Sequence, residues 1–419
     1  MRATSLVKQI LGLKGVVVRE VSLSEGEVAV NLKLTRTKLL CPKCKYSTKS
    51  CYDTKTVDSR WRHLDMGVRE TWLSCSLRRL KCPRHGVITE SVPFARPVAE
   101  SRFTRDFEHL VAWCTAKVDK TTVTKLTRIA WRTVGMICER VVAEELDPKR
   151  LDNLFLVGVD EISYRKHHNY LTLVTNHDSG KIVYGSEGKS ASSLDGFFDE
   201  LGAERSAKIT AATMDMGPAF AKAFTEHAPG ARLCLDPFHI VKLGTEALEE
   251  VRKDLWRQMR GLPSPQYARK FAGARWALLK NPGDLTERQG ETLKGIKRSG
   301  GALWRAYEMK ESLRAIFAGD LTDDEVAELI SRWCSRASRS RIQSFVRLSK
   351  TIRTHKDGIM ASIELGISNG RVEGLNNKVR SIIARCYGLH SAQATLALVM
   401  LSCGPINLQL PYERRNSST

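Results

Sequence analysis

The chain has 419 residues, 42% of them hydrophobic, and carries 67 Lys+Arg against 46 Asp+Glu for a formal net charge of +21. That apolar content excludes whole-chain disorder and builds sizeable cores over two to four domains, while no run approaches the roughly 18 to 20 apolar residues of a membrane span. The positive balance, the odd count of eleven cysteines and a start (Met1 to Gly15) with no continuous apolar segment predict a basic protein of a reducing cytoplasm whose default partner is nucleic acid.

In chain order, Val16 to Val21 and Val28 to Leu34 read as strands joined at Ser24-Glu25-Gly26. Two knuckles follow, Cys41-Pro-Lys-Cys44 and Cys82-Pro-Arg-His85, with matching two-residue spacers. Thiols and imidazole at this spacing are tetrahedral zinc ligands, and four protein ligands leave no open position, so the zinc is predicted to be structural. Cys51 and Cys75 are alternatives to His85 as the fourth ligand. Arg60, Arg62, Arg78, Arg79, Lys81 and Arg84 around the knuckles are read as a phosphate-binding face. Pro93 to Pro97 reads as a linker.

Residues 104–145 carry three apolar stripes at helical spacing: Phe107, Leu110, Val111 and Cys114; Val123, Leu126 and Ile129; Trp131, Val134, Ile137 and Val141. Short helices with Arg128, Arg132 and Arg140 late in the set suit a helix-turn-helix; a plain three-helix core piece is the alternative. From residue 153 the texture becomes strand-like. Leu154 to Val159 runs into Asp160, Tyr170 to Thr175 alternates, and Lys181 to Tyr184 completes a meander. A helix over Ser190 to Leu201, a strand Ile209 to Met214 ending in Asp215, a helix Pro218 to His227 and a strand Ala231 to Leu235 ending in Asp236 follow. Three strands, helix, strand, helix, strand is the order of a ribonuclease-H-like mixed sheet. Beyond residue 240 the chain reads as helical and basic to about residue 365, broken at Gly261 to Pro265 and Asn281-Pro282-Gly283. A last pair of helices starts near Ser368-Asn369, with Gly388 between them. Cys114, Cys138, Cys234, Cys334, Cys386 and Cys403 sit in apolar contexts and read as buried small hydrophobes, and Trp256, Trp276, Trp304 and Trp333 as helical core.

The charge is not spread evenly. Residues 1–150 hold 29 Lys+Arg and 16 Asp+Glu, residues 151–240 hold 8 and 12, and residues 241–419 hold 30 and 18. The acidic middle contains Asp160, Asp215 and Asp236, each read as following a strand. Any one such Asp is an ordinary turn residue. Three in this strand order, inside a basic chain, suit hard cations such as Mg²⁺ or Mn²⁺ and two-metal phosphoryl transfer. Glu373 is the fourth candidate. Helical spacing puts it on one polar face with Asn376, Asn377 and Arg380, while Val372, Leu375 and Val379 face elsewhere.

The segments Gly158-Val-Asp-Glu161, Met214-Asp215-Met216, Asp236-Pro-Phe-His239 and Ser368-Asn-Gly-Arg-Val-Glu-Gly-Leu-Asn-Asn377 resemble the bacterial ISL-three (ISL3) insertion-sequence transposases, DDE enzymes with a ribonuclease-H-like core. The resemblance covers essentially the whole chain. It implies that Asp160 is the first catalytic carboxylate and Glu373 the last. Asp215 is favoured as the middle one, with Asp236 as the rival and Asp236 with His239 otherwise in a supporting or DNA-handling role. The family usually offers four cysteines in its amino-terminal module, and His85 departs from that. The stretch 241–365 resembles the all-helical insertion placed before the catalytic Glu.

The resulting domain reading is a zinc-binding DNA-binding module (1–95), a helix-turn-helix region (96–150), the first part of the catalytic core (151–240), the insertion (241–365) and the final core helices (366–419). The expected activity is binding of terminal inverted repeats, cleavage of the element ends and joining of the 3′-hydroxyl to target DNA, by a dimer or larger assembly on double-stranded DNA. The DNA-contacting residues expected are Arg78, Arg79, Arg128, Arg132, Asn376, Asn377, Lys378 and Arg380. The rivals are a zinc-containing DNA-binding regulator without catalysis and a structure-directed nuclease. A tyrosine recombinase is disfavoured, because Tyr387 and His390 form no His-x-x-Arg motif.

Overall fold

The structure is a computed structural model and describes residues 2–44, 46–97, 99–165, 169–260, 273–319, 321–367, 370–386 and 391–413. The sequence readings at Gly261 to Pro265, Ser368-Asn369, Tyr387, Gly388 and His390 lie outside the described residues. Two compact units emerge, one of residues 1–148 with 382–419 and the other of 149–381.

The first unit opens with helix α1 (Ala3–Leu11) and strands β1 (Val16–Ser24) and β2 (Glu27–Leu34). Period-two burial of Val28, Val30, Leu32 and Leu34 turns one face of β2 to the core. Small strands β3 (Leu39–Leu40), β4 (Ser47–Thr48) and β5 (Asp53–Thr54) precede the hairpin of β6 (Ser59–Met66) and β7 (Arg69–Cys75), then β8 (Arg78–Cys82) and β9 (Gly86–Thr89). The main sheet has the order β1-β2-β7-β6, and β5-β8-β9 form a separate three-stranded sheet. The long segment between the two cysteine knuckles is therefore not a loop: it contributes β6 and β7 to the neighbouring sheet. Pro93 to Pro97 is not a linker, because Phe94, Ala95 and Arg96 are buried and Phe94 meets the Trp61 ring edge-on at 5.3 Å.

Helices α2 (Arg105–Lys117), α3 (Lys120–Thr127) and α4 (Trp131–Glu145) fall where the stripes predict. Thr104 caps α2 by accepting from the Phe107 N–H, and Asp119 caps α3 by accepting from the Thr122 N–H at 2.9 Å. Glu108, fully buried, is neutralised by Arg96 and Arg140.

The second unit is built on strands β10 (Leu156–Arg165), β11 (Asn169–Asn176), β12 (Lys181–Glu187), β13 (Ala211–Met214) and β14 (Arg232–Leu235). Their order is β12-β11-β10-β13-β14. The first three pair antiparallel, while β13 and β14 run parallel to β10. The stretch Leu171 to Thr175 of β11 is buried on both faces rather than alternating, as suits an interior strand. Helices α5 (Asp195–Leu201) and α6 (Ala203–Ser206) lead into β13, and α7 (Pro218–His227) joins β13 to β14. Phe197, Phe198, Leu201, Phe220 and Phe224 pack together in this core.

The helical segment comprises α8 (Pro237–Arg260), α9 (Arg275–Leu279), α10 (Glu287–Ser299), α11 (Gly301–Ile316), α12 (Asp323–Ser338), α13 (Gln343–Thr354) and α14 (Lys356–Glu364). Capping boxes at Thr286/Gln289 and Thr322/Glu325 start α10 and α12. Trp333 is buried here, but Trp276 is exposed, with the Arg275 guanidinium over its ring. Helix α15 (Gly370–Arg385) contains the boundary between the units, and α16 (Ala392–Cys403) packs on α2 and α4. The stretch expected to supply final core helices is thus divided: α16 is apolar on every side and finds its partners in the first unit. All eleven cysteines are free, and five of the six expected to be buried are; Cys114 is half-buried. No helix among the described residues is long and apolar enough to cross a membrane.

Candidate functional site

The acidic site grows out of strand register. Gly158 of β10 pairs with Thr213 of β13, and Met214 pairs with Leu235 of β14. Carried two residues beyond the first pair, the register brings Asp160 opposite Asp215. Carried one beyond the second, it brings Asp215 beside Asp236. Asp160 does not end its strand, since β10 continues to Arg165 along β11. What ends near it is the parallel pairing with β13.

Helix α15 lies over the same face. A Cβ built on Gly158 would lie 2.7 Å from Val372 Cγ2, 3.1 Å from His177 Nε2 and 3.2 Å from Thr213 Oγ1. Only glycine admits the helix that closely, and a glycine inside a strand is the signal of such an approach. Alternate residues share a face, so Asp160 and Asp215 point the way Gly158 and Thr213 do. Asn376, one helical turn past Val372, is buried and donates its side-chain N–H to Asp160 Oδ2. The helix face is therefore not divided as helical spacing alone predicts: Asn376 lies in the buried seam with Val372 and Val379. Glu373, Asn377, Lys378 and Arg380 are exposed.

Asp160 Oδ1 accepts from the Glu161 N–H at 2.7 Å. Burial pushes the Asp160 carboxyl above its ordinary range, with Asp215 adding to the rise while the Glu161 N–H, His239 and Arg380 oppose it. Asp215 is the more open carboxylate and lies 3.5 Å from His239 Nδ1. Asp236 is used differently. Its Oδ1 accepts from the Phe238 N–H at 2.9 Å, with Pro237 in the first position of α8, so it starts that helix.

The second cluster lies in the small sheets of the first unit. Cys41 and Cys44 follow β3, Cys82 ends β8, and His85 sits in the turn to β9, where Gly86 adopts a φ of 66°. Cys41 Sγ is 3.5 Å from His85 Nδ1, Cys82 Sγ is 3.5 Å from the same nitrogen, and Cys44 Sγ is 3.7 Å from Cys82 Sγ. Donors about 2.3 Å from a tetrahedral centre lie roughly 3.7 Å apart, so these four groups have the spacing of a zinc site. Among the described residues they alone form a group of three or more Cys, His, Asp or Glu ligand atoms within 4.8 Å. Cys51 is elsewhere, its thiol donating to the Asp53 carbonyl, and Cys75 is buried in the main-sheet core.

Several cations read as DNA-facing are held by neighbouring acids. Arg78 is bonded to Glu90, Arg79 to Asp53 and Arg128 to Asp65. Arg62 is buried between Asp65 and Glu70. Arg132 is exposed, and Arg380 donates to Asn377 Oδ1 at 3.0 Å.

Comparison with known proteins matches the spans that contain the two clusters. A family profile described as a transposase, of the ISL3 DDE type, matches residues 157–398. A second, described as the zinc-finger of transposase IS204/IS1001/IS1096/IS1165, matches residues 37–85. The chain is 38% identical over 441 residues to the transposase for insertion sequence element IS1557 of Mycobacterium tuberculosis, covering 98% of each chain. It is 25% identical over 394 residues to the transposase for insertion sequence element IS1001 of Bordetella parapertussis, covering 91% of this chain and 94% of that relative.

Proposed function

The chain belongs to the ISL3 family of insertion-sequence transposases, and on that premise we propose that it binds the terminal inverted repeats of its element, cleaves the ends and joins them to target DNA in the cytoplasm. The observation that carries the catalytic reading is the register that sets Asp160 opposite Asp215 on the face covered by the Glu373 helix. The strand order, antiparallel for three strands and then parallel, supports a ribonuclease-H-like core.

Asp160, Asp215 and Glu373 are assigned as the metal-holding carboxylates. They are hard oxygen donors, the kind that Mg²⁺ or Mn²⁺ takes together with waters and phosphate oxygens. Two such ions would lower the pKa of an attacking hydroxyl and stabilise a leaving oxygen. The protein's own part is positional. Asn376 and the Glu161 N–H fix the rotamer of Asp160. His239 orients Asp215, and Asp236, occupied in starting α8, supports the assignment of Asp215 rather than itself. In the first reaction a water attacks the phosphodiester at the element end and a 3′-hydroxyl leaves. In the second that hydroxyl attacks a target phosphodiester and displaces another 3′-oxygen.

A structural zinc held by Cys41, Cys44, Cys82 and His85 would fix the amino-terminal module, which with a helix-turn-helix of α2 to α4 would read the ends. Arg132 of the first unit, and Asn377, Lys378 and Arg380 on the open side of α15, are assigned to DNA. Pairing of two element ends calls for a dimer or larger assembly.

The test is Asp160→Asn and Glu373→Gln. Each removes several kcal/mol of charge stabilisation and slows end cleavage by about a thousandfold or more, with specific end binding retained. Cleavage at the wild-type rate by both variants refutes the metal-site assignment and leaves a DNA-binding regulator as the better reading.

A further inference from the structure

We propose that a pocket between α11, α12 and the turn after α12 holds the phosphate backbone of duplex DNA through Arg305, Arg336 and Arg339; this rests on the reading of the chain as a DNA-handling enzyme and adds a contact surface in the helical segment. The pocket has a volume of about 580 Å³ and is lined by those three arginines with Glu308, Met309 and Ser340. Three arginines thus line it with a single acidic residue among the described residues.

Three arginines nearby in the helical segment are neutralised. Arg314 pairs with Glu311 at 2.7 Å, Arg332 with Glu328 at 2.8 Å and Arg347 with Glu250 at 2.6 Å. Among the described residues, none of the three pocket arginines lies within ion-pair distance of a carboxylate. A guanidinium with no carboxylate partner is available to an anion from outside.

Two of the three are also oriented. Arg305 Nη1 donates to the Ser340 carbonyl at 3.4 Å, and Arg339 Nε donates to the Ser335 carbonyl at 3.0 Å. Each bond uses one N–H and leaves the rest of the guanidinium fork for an anion. The floor is fixed, since the buried Trp333 indole donates to the Met309 carbonyl at 2.9 Å and ties α12 to α11. A planar fork on a rigid base suits bidentate capture of phosphate. Among the described residues no aromatic side chain lines the pocket to stack a base, and all three arginines are exposed, so the matching ligand is a continuous backbone rather than a free nucleotide.

The experiment measures binding of the full chain to a mixed-sequence duplex across a series of salt concentrations. The variant Arg305→Ala/Arg336→Ala/Arg339→Ala is expected to lower the slope of log K against log salt by about one for each phosphate it no longer neutralises, hence by about two to three in total. The corresponding triple lysine variant keeps the slope, because charge is retained. Arg332→Ala, on the same helix but paired with Glu328, leaves it unchanged. An unchanged slope in the triple alanine variant overturns the proposal, as does an equal fall in the lysine variant, which would report altered structure rather than missing charge. A wild-type chain that binds no duplex at any salt sinks the transposase reading together with the pocket, whereas wild-type binding with an unaltered slope in the alanine variant sinks the pocket alone.

Discussion

At the scale of single residues, the approach of helix to strand depends on an atom that is missing. Gly158 lets α15 approach β10, and a methyl group there would meet Val372 Cγ2 at 2.7 Å. Gly158→Ala is therefore expected to cost about 1 to 3 kcal/mol through overpacking and, by displacing the helix that carries Asn376 and Glu373, to slow cleavage more than it weakens DNA binding. Gly158→Ala/Val372→Ala relieves the clash and is expected to recover both thermal stability and rate toward wild type. If the double variant is no better than the single one in melting and cleavage assays, the contact is not what couples the helix to the strand. Asp160 and Asp215 stand out as candidates in the sequence because an Asp after an apolar strand in this order is a short list. The extent of the strand is not: Asp160-Glu161 looks like an end, yet Ile162 and Tyr164 resume the buried alternation along β11. The place of Asn376 is hidden for a related reason. Helical spacing groups Asn376 with the polar side offered to DNA, and only the carboxylate facing it explains why it is buried.

At the scale of elements, the zinc module shows which part of a site sequence spacing can specify. The paired knuckles offer Cys41 with Cys44 and Cys82 with His85, because each two-residue spacer sets two candidate ligands on one turn. The fourth ligand needs the β8–β9 hairpin, whose closing pair Cys82 and Gly86 carries His85 back over the thiols while Cys75 is consumed by the main sheet. The expected metal content is one zinc per chain by elemental analysis. His85→Ala and Cys44→Ser lose it and lose specific end binding, His85→Cys keeps both, and Cys51→Ser and Cys75→Ser keep the metal. Loss of zinc in Cys51→Ser with retention in His85→Ala would reverse the ligand assignment. The arginines around the module are the less legible part. Sequence shows their charge, but whether Arg79 meets Asp53 or a phosphate is decided by strand pairing that spacing does not encode.

At the scale of the whole molecule, the hydrophobic clusters fall on one side or the other of the boundary within α15. The large core around Phe197, Phe224, Leu248 and Phe345 belongs wholly to residues 149–381. The clusters around Trp61 and Leu73, around Val111 and Ile137 with Leu401, and around the knuckles belong to the other unit. That α16 joins the first unit is not legible in its sequence, because an all-round apolar helix announces burial without naming its partner. Separate cores predict separate cooperative transitions. Calorimetry of the full chain is expected to show two unfolding events. Phe224→Ala, which removes a fully buried ring at a cost of about 3 to 5 kcal/mol, lowers one of them. Chelation of zinc lowers the other and leaves the first in place. A single transition that both perturbations shift together would mean that the continuous α15 couples the units into one folding body, and that the two units of this transposase cannot be weakened independently.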